Sequence, residues 1–78
     1  MFQKIISTDP PVLVSLYQDE NEDITLRILC WEKFNNQFYF HEEIIEIPSV
    51  ELGTSIIQDY SIDSANEFLK YKLSSDTE

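Results

Sequence analysis

The chain has 78 residues, fifteen of them acidic and five basic, for a formal net charge of −10. That excess repels nucleic acid and excludes phosphate-backbone binding of the kind basic surfaces provide. The length suits one domain with one core, and a 42% hydrophobic share with 13% aromatics excludes an acidic disordered chain. The single cysteine, Cys30, excludes an intrachain disulfide and any multi-cysteine metal site. The apolar start Met-Phe-Gln-Lys-Ile-Ile is too short for a signal peptide and no window approaches a membrane span, so the expected location is cytoplasmic.

In chain order, Pro10-Pro11 forces extended backbone on what precedes it, so residues 1–11 are expected as an extended lead-in. Val12–Tyr17 alternates as a strand, with Val12, Val14 and Leu16 on one face. Gln18–Asp23 reads as a polar loop. Ile24–Lys33 alternates again, and Asn35-Asn36 supplies the two positive φ angles of a tight primed hairpin turn. Gln37–Ile47 returns as a third strand, stopped by Pro48. With a two-residue turn the register follows: Trp31 opposite Phe40, Cys30 opposite His41, Arg27 opposite Ile44, Leu26 opposite Ile45 and Ile24 opposite Ile47.

Ser49–Tyr60 carries the weakest pattern. Gly53 is expected to end a short helical turn, with Thr54–Tyr60 a fourth, edge strand or the run-in to a helix. Ile62, Ala65, Phe68, Leu69 and Leu73 then form a helical stripe. Ser61 fits as its N-cap, while Ser64-Ala-Asn-Glu67 also matches a capping box with a later start. Residues 74–78 are expected to fray. The expected fold is α+β: an antiparallel sheet of three or four strands, in the order β-β-β-(β)-α, with one C-terminal helix on one face.

Candidate chemistry is sparse. Asp19-Glu20-Asn21-Glu22-Asp23 has the spacing that opens a calcium loop. Ile24 stands where the sharp turn needs Gly, however, and Cys30 where a bidentate Glu is needed, so a solvated loop is the better reading. Cys30 and His41 face each other across two strands. They sit on the expected core face with no glycine-rich segment to form an oxyanion hole, so neither catalysis nor a cofactor is expected. Alternation separates Glu43 from Glu42 and Glu46, which defeats a paired-carboxylate site and leaves those two as neighbours of Arg27.

The second sheet face is different. It gathers Leu29, Trp31, Phe38, Phe40 and Ile44 around Arg27, and one helix cannot cover both faces. Either the lead-in (Phe2, Ile5, Ile6) or residues 49–60 fold over these aromatics, or they form an interaction patch. An aromatic centre rimmed by carboxylates suits a basic protein partner. The expected function is therefore a non-catalytic acidic inhibitor of a basic, nucleic-acid-handling protein such as a nuclease, with surface carboxylates standing in for phosphates. Immunity proteins, antitoxins and phage anti-defence inhibitors are analogues in size and charge only. The expected contact residues are Asp19, Glu20, Glu22, Asp23, Arg27, Leu29, Trp31, Phe38, Phe40, Glu42 and Glu46. The alternative is a small structural or regulatory subunit that homodimerises or docks through its second sheet face.

Self-repulsion at this charge opposes compaction, so we predict that the melting temperature rises from low to moderate ionic strength. A flat or falling melting temperature in a salt series would contradict this.

Overall fold

The computed structural model describes residues 2–74. Four antiparallel strands form one sheet in sequential order: β1 (Gln3–Ile6), β2 (Val12–Gln18), β3 (Ile24–Phe34) and β4 (Gln37–Ile47). Two helices follow, α1 (Val50–Asp59) and α2 (Ile62–Ser74). The expected β3–β4 register is the observed one, with Trp31 across from Phe40, Cys30 from His41, Arg27 from Ile44, Leu26 from Ile45 and Ile24 from Ile47. Its cause is local. Asn35 and Asn36 adopt φ angles of 53° and 63°, which matches the right-handed twist of the strands they join.

Four expectations are corrected, the last of them at Gly53. The fourth strand comes from the lead-in: Gln3–Ile6 adds to β2 through the pairs Gln3–Ser15 and Ile6–Val12. Of the two expectations for Thr54–Tyr60, edge strand or run-in to a helix, the strand is not formed: 54–59 belong to α1, a separate helix, so the fold has two helices rather than one. Ile62, expected on the buried stripe of the last helix, is 61% exposed, while Ala65, Phe68 and Leu69 are buried as expected. Ser74 closes α2, and the rest of the expected frayed tail, 75–78, lies outside the described residues.

Gly53 lies in the middle of α1, not at its end, because the helix approaches the sheet closely there. A Cβ on Gly53 would stand 2.5 Å from both Leu16 Cδ1 and Ile47 Cδ1. The helix bears the propensity cost of glycine, about 1 kcal/mol, in exchange for that approach. Its N-terminus is capped by Ser49, whose Oγ accepts the Leu52 N–H at 3.1 Å. At its other end, Lys4 Nζ on β1 donates to the carbonyls of Gln58 at 3.2 Å and Tyr60 at 2.8 Å. One cation thus satisfies two carbonyls at the negative end of the helix and ties the edge strand to it. Helix α2 starts at Ser61, whose Oγ accepts the Ser64 N–H at 3.2 Å, so the later capping box is not the one used.

Both helices pack on one face of the sheet. Ile6, Val12, Val14, Leu16, Leu26, Ile28 and Cys30 from the strands meet Ile57, Ala65, Phe68 and Leu69 from the helices. Fully burying such aliphatic side chains stabilises a fold by about 1.5–3 kcal/mol each.

Tyr60, half-buried between the helices, donates to the Ser64 carbonyl at 3.4 Å. Burial, with the charge of Glu43 adding, pushes its phenol up to about 12. The unfolded chain therefore loses this proton first. Tyr60 contributes nothing to pH dependence below about pH 10, and stability falls as pH rises from about 10 through 12. We predict that Tyr60→Phe flattens the alkaline loss in denaturant melts. Parallel curves for wild type and variant above about pH 10 would contradict this.

Candidate functional site

Alternation along the strands assigns the second face to Gln3 and Ile5 of β1, Leu13, Ser15 and Tyr17 of β2, and Thr25, Arg27, Leu29, Trp31 and Lys33 of β3. Phe38, Phe40, Glu42, Ile44 and Glu46 of β4 complete it. Neither segment proposed to fold over this face does so: the lead-in widens the sheet as β1, and residues 50–59 form α1 on the opposite side. Phe38, Phe40 and Ile44 remain 59%, 66% and 59% exposed. Leu13, Leu29 and Trp31 are half-buried, Trp31 beside Asp9, Pro10 and Pro11.

The face has two chemically distinct ends. Val12, the first residue of β2, pairs with Cys30, so the β3–β4 hairpin from Trp31 to Phe40 runs on past β2. Trp31, Lys33 and Phe38 line a shallow hollow there together with Asp9, Pro10 and Pro11, and Lys33 Nζ lies 5.9 Å from the Phe38 ring centroid. At the opposite end, Glu46 stands across from Thr25, next to the β2–β3 loop that carries Asp19, Glu20, Glu22 and Asp23. Phe38 and Glu46 are eight residues apart on one strand, a span of about 27 Å.

A polar belt separates the ends. Arg27 Nε donates to Glu42 Oε2 at 2.7 Å, and both side chains are about two-fifths exposed. Glu42 and, next, Tyr17 raise the already high pKa of the guanidinium. Tyr17 is in turn pushed below the usual phenol value by its hydrogen bond with Ser15 and then by Arg27. Tyr17, Thr25, Arg27, Glu42 and Ile44 line a second hollow in the middle of the face. Of the carboxylates expected to contact a partner, Glu42 is thus engaged within the chain.

Asp19 is engaged as well. Its Oδ1 accepts the N–H groups of Asn21 at 2.9 Å and Asp23 at 3.0 Å, which holds the loop while Glu22 takes a φ of 65°. The calcium-like spacing is therefore turned onto its own backbone. Among the described residues no group of three or more His, Cys, Asp or Glu side chains is arranged to hold a metal ion. The structure places Cys30 and His41 across from each other on the helix-covered face. Burial, with Glu32 adding, pushes the Cys30 thiol up, the opposite of what a thiolate nucleophile requires. His41 Nε2 lies 3.9 Å from Glu32 Oε2.

The face also contains residues outside the expected contact set. Ile5, 62% exposed, reaches it through β1, and its partner Leu13 extends the apolar surface across β2. Ser15 is buried to 2% exposure beside Tyr17 and Arg27. Among the described residues, no helix is long and apolar enough to cross a membrane. Comparison of the chain with protein-family models, curated proteins and solved structures gave no match.

Exposure separates residues that hold the fold from residues available to a partner. We predict that Phe40→Ala changes unfolding free energy by no more than about 0.5 kcal/mol, whereas Leu26→Ala costs about 2–5 kcal/mol. Comparable losses in denaturant melts of the two variants would show that something covers Phe40.

Proposed function

We propose that this chain is a non-catalytic, cytoplasmic binding module that docks its open sheet face onto a basic, nucleic-acid-handling protein and blocks it. The observation that carries the reading is a single uncovered surface with aromatics at one end and carboxylates at the other. Trp31, Phe38 and Phe40 supply buried area at low entropic cost, with Leu29 behind them. Glu20, Glu22, Asp23 and Glu46 steer a cationic partner and occupy positions it would otherwise offer to phosphates. Same-face residues recur about every 6.8 Å along a strand, a spacing that suits a row of phosphate-binding side chains. Arg27 fixes Glu42 in the middle and so sets the boundary between the two ends. The function class is that of small inhibitors such as immunity proteins, antitoxins and phage anti-defence proteins, on the grounds of size, charge and surface alone.

A second reading, a regulatory or structural subunit docking through the same face, draws on the aromatic end without the acidic one. Affinity capture from native cells at low and high salt, with the partner identified by mass spectrometry, separates the two. The proposed inhibitor retains a basic nucleic-acid-handling protein at low salt and releases it at high salt. It also loses that protein when Glu20, Glu22 and Asp23 are neutralised together; Asp19 is spared because it holds the loop. Capture that survives high salt and neutralisation but fails with Trp31→Ala or Phe40→Ala would establish the subunit reading instead. Recovery of no basic partner would sink the inhibitor.

A further inference from the structure

The two edges of the sheet are unequal. β1 spans four residues and is tied to α1 through Lys4, whereas β4 spans eleven and contains no proline, lysine or arginine. Short strands, lysines, prolines, bulges and charges are the usual protections of an edge; β4 has none of the first four, and its charges are Glu42 and Glu46 on the open face and Glu43 on the helix-covered face. Phe34 and Gln37 flank the two-residue turn and begin the ladder as a hydrogen-bonded pair. The odd-numbered residues of β4 therefore turn their N–H and C=O groups toward β3. Phe38, Phe40, Glu42, Ile44 and Glu46 direct theirs outward, along an edge about 37 Å long.

We propose that a second copy of this chain occupies that edge. The β4 strands would pair antiparallel about a two-fold axis through Glu42, the midpoint of the strand, to give a continuous eight-stranded sheet. Because the axis is perpendicular to the sheet, each face continues across the junction, and the open face stays open. Pairing at the edge therefore leaves the face accessible, although Phe38, Phe40 and Glu46 belong to both surfaces. In this register Phe40 stands opposite the partner's Ile44, and Tyr39 opposite the partner's Ile45. His41 faces the partner's Glu43, and Phe38 faces the partner's Glu46. Lys33, already over the Phe38 ring, then has a carboxylate to reach across it. Every match occurs twice, as an isologous contact requires, and about ten backbone hydrogen bonds close the edge.

The one like-charge pair directly opposite is Glu42 with its own copy, and Glu42 is the carboxylate that Arg27 holds at 2.7 Å; the two Glu43 side chains meet only diagonally, each opposite a His41. Shifting the axis to His41 sets Glu42 against Phe40 and Glu43 against Tyr39. Shifting it to Glu43 brings two copies of that carboxylate together and sets Ile44 against Glu42. The register centred on Glu42 is the one that matches apolar with apolar and cation with anion.

Sedimentation equilibrium over a micromolar dilution series tests this on the full chain. The wild type is expected at twice the 9.2 kDa of one chain. Ile44→Pro removes an outward N–H that β3 does not use, and Ile44→Lys places a charge on the edge. Both are expected to sediment as single chains, with far-ultraviolet circular dichroism reporting a retained fold. Lys33→Glu and Glu46→Lys are each expected to raise the dimer dissociation constant several-fold, and the double exchange to recover most of the loss. A wild type at the mass of one chain would overturn the proposal. So would a dimer that persists unchanged in both folded Ile44 variants, and a charge exchange without recovery would overturn the register.

Discussion

Side chains alternate across a strand, and four strands that are apolar on both sides create two surfaces to bury, while the helices that follow cover only one. Everything else depends on that mismatch. The covered face holds the core, with Val12, Val14, Cys30, Ile57 and Ala65 withdrawn completely from solvent. The other face keeps Ile5, Phe38, Phe40 and Ile44 in water among the described residues. Exposing so much aromatic and aliphatic surface gives up burial energy that a chain of this length has little of to spare. The proposed partner would recover that energy by covering the face.

The net charge is not spread evenly over this arrangement. Some of it serves the fold: Glu51 and Asp63 lie in the first turns of the helices, Asp19 holds its loop, and Glu42 is matched to Arg27. Of the other described carboxylates, Glu20, Glu22, Asp23 and Glu46 lie at the loop end of the open face, Asp9 and Glu32 line the hollow at the aromatic end, and Glu43 lies on the helix-covered face. Arg27, in the middle of β3, sits between the two ends.

Much of this was legible in the residues, and the reasons are local. Asn35-Asn36 admits one kind of turn, and the turn fixes the register of every pair from Phe34–Gln37 to Ile24–Ile47. The faces of β3 and β4 follow from it, so the aromatic cluster and the Arg27–Glu42 pair could be placed without coordinates. Helix α1 was obscured because Gly53 and the run Thr54-Ser55-Ile56-Ile57 weaken its helical signal. The helix forms because tertiary packing outweighs propensity where Gly53 meets Leu16 and Ile47. A usable signal was present in Ser49 after Pro48, with Gly53, Ile57 and Tyr60 at helical spacing. Whether β1 adds a strand or folds over the aromatics depends on long-range pairing that no local pattern encodes, so the cover of the open face could not be read from the residues.

The central claim is that the second face lies open in the isolated chain. A soluble paramagnetic probe added to the purified protein tests it through the line broadening of assigned aromatic and methyl resonances. The account predicts strong broadening at Phe38, Phe40 and Ile44, with Val14, Leu26 and Ile57 unaffected. Phe38, Phe40 and Ile44 as well shielded as Leu26 would contradict it.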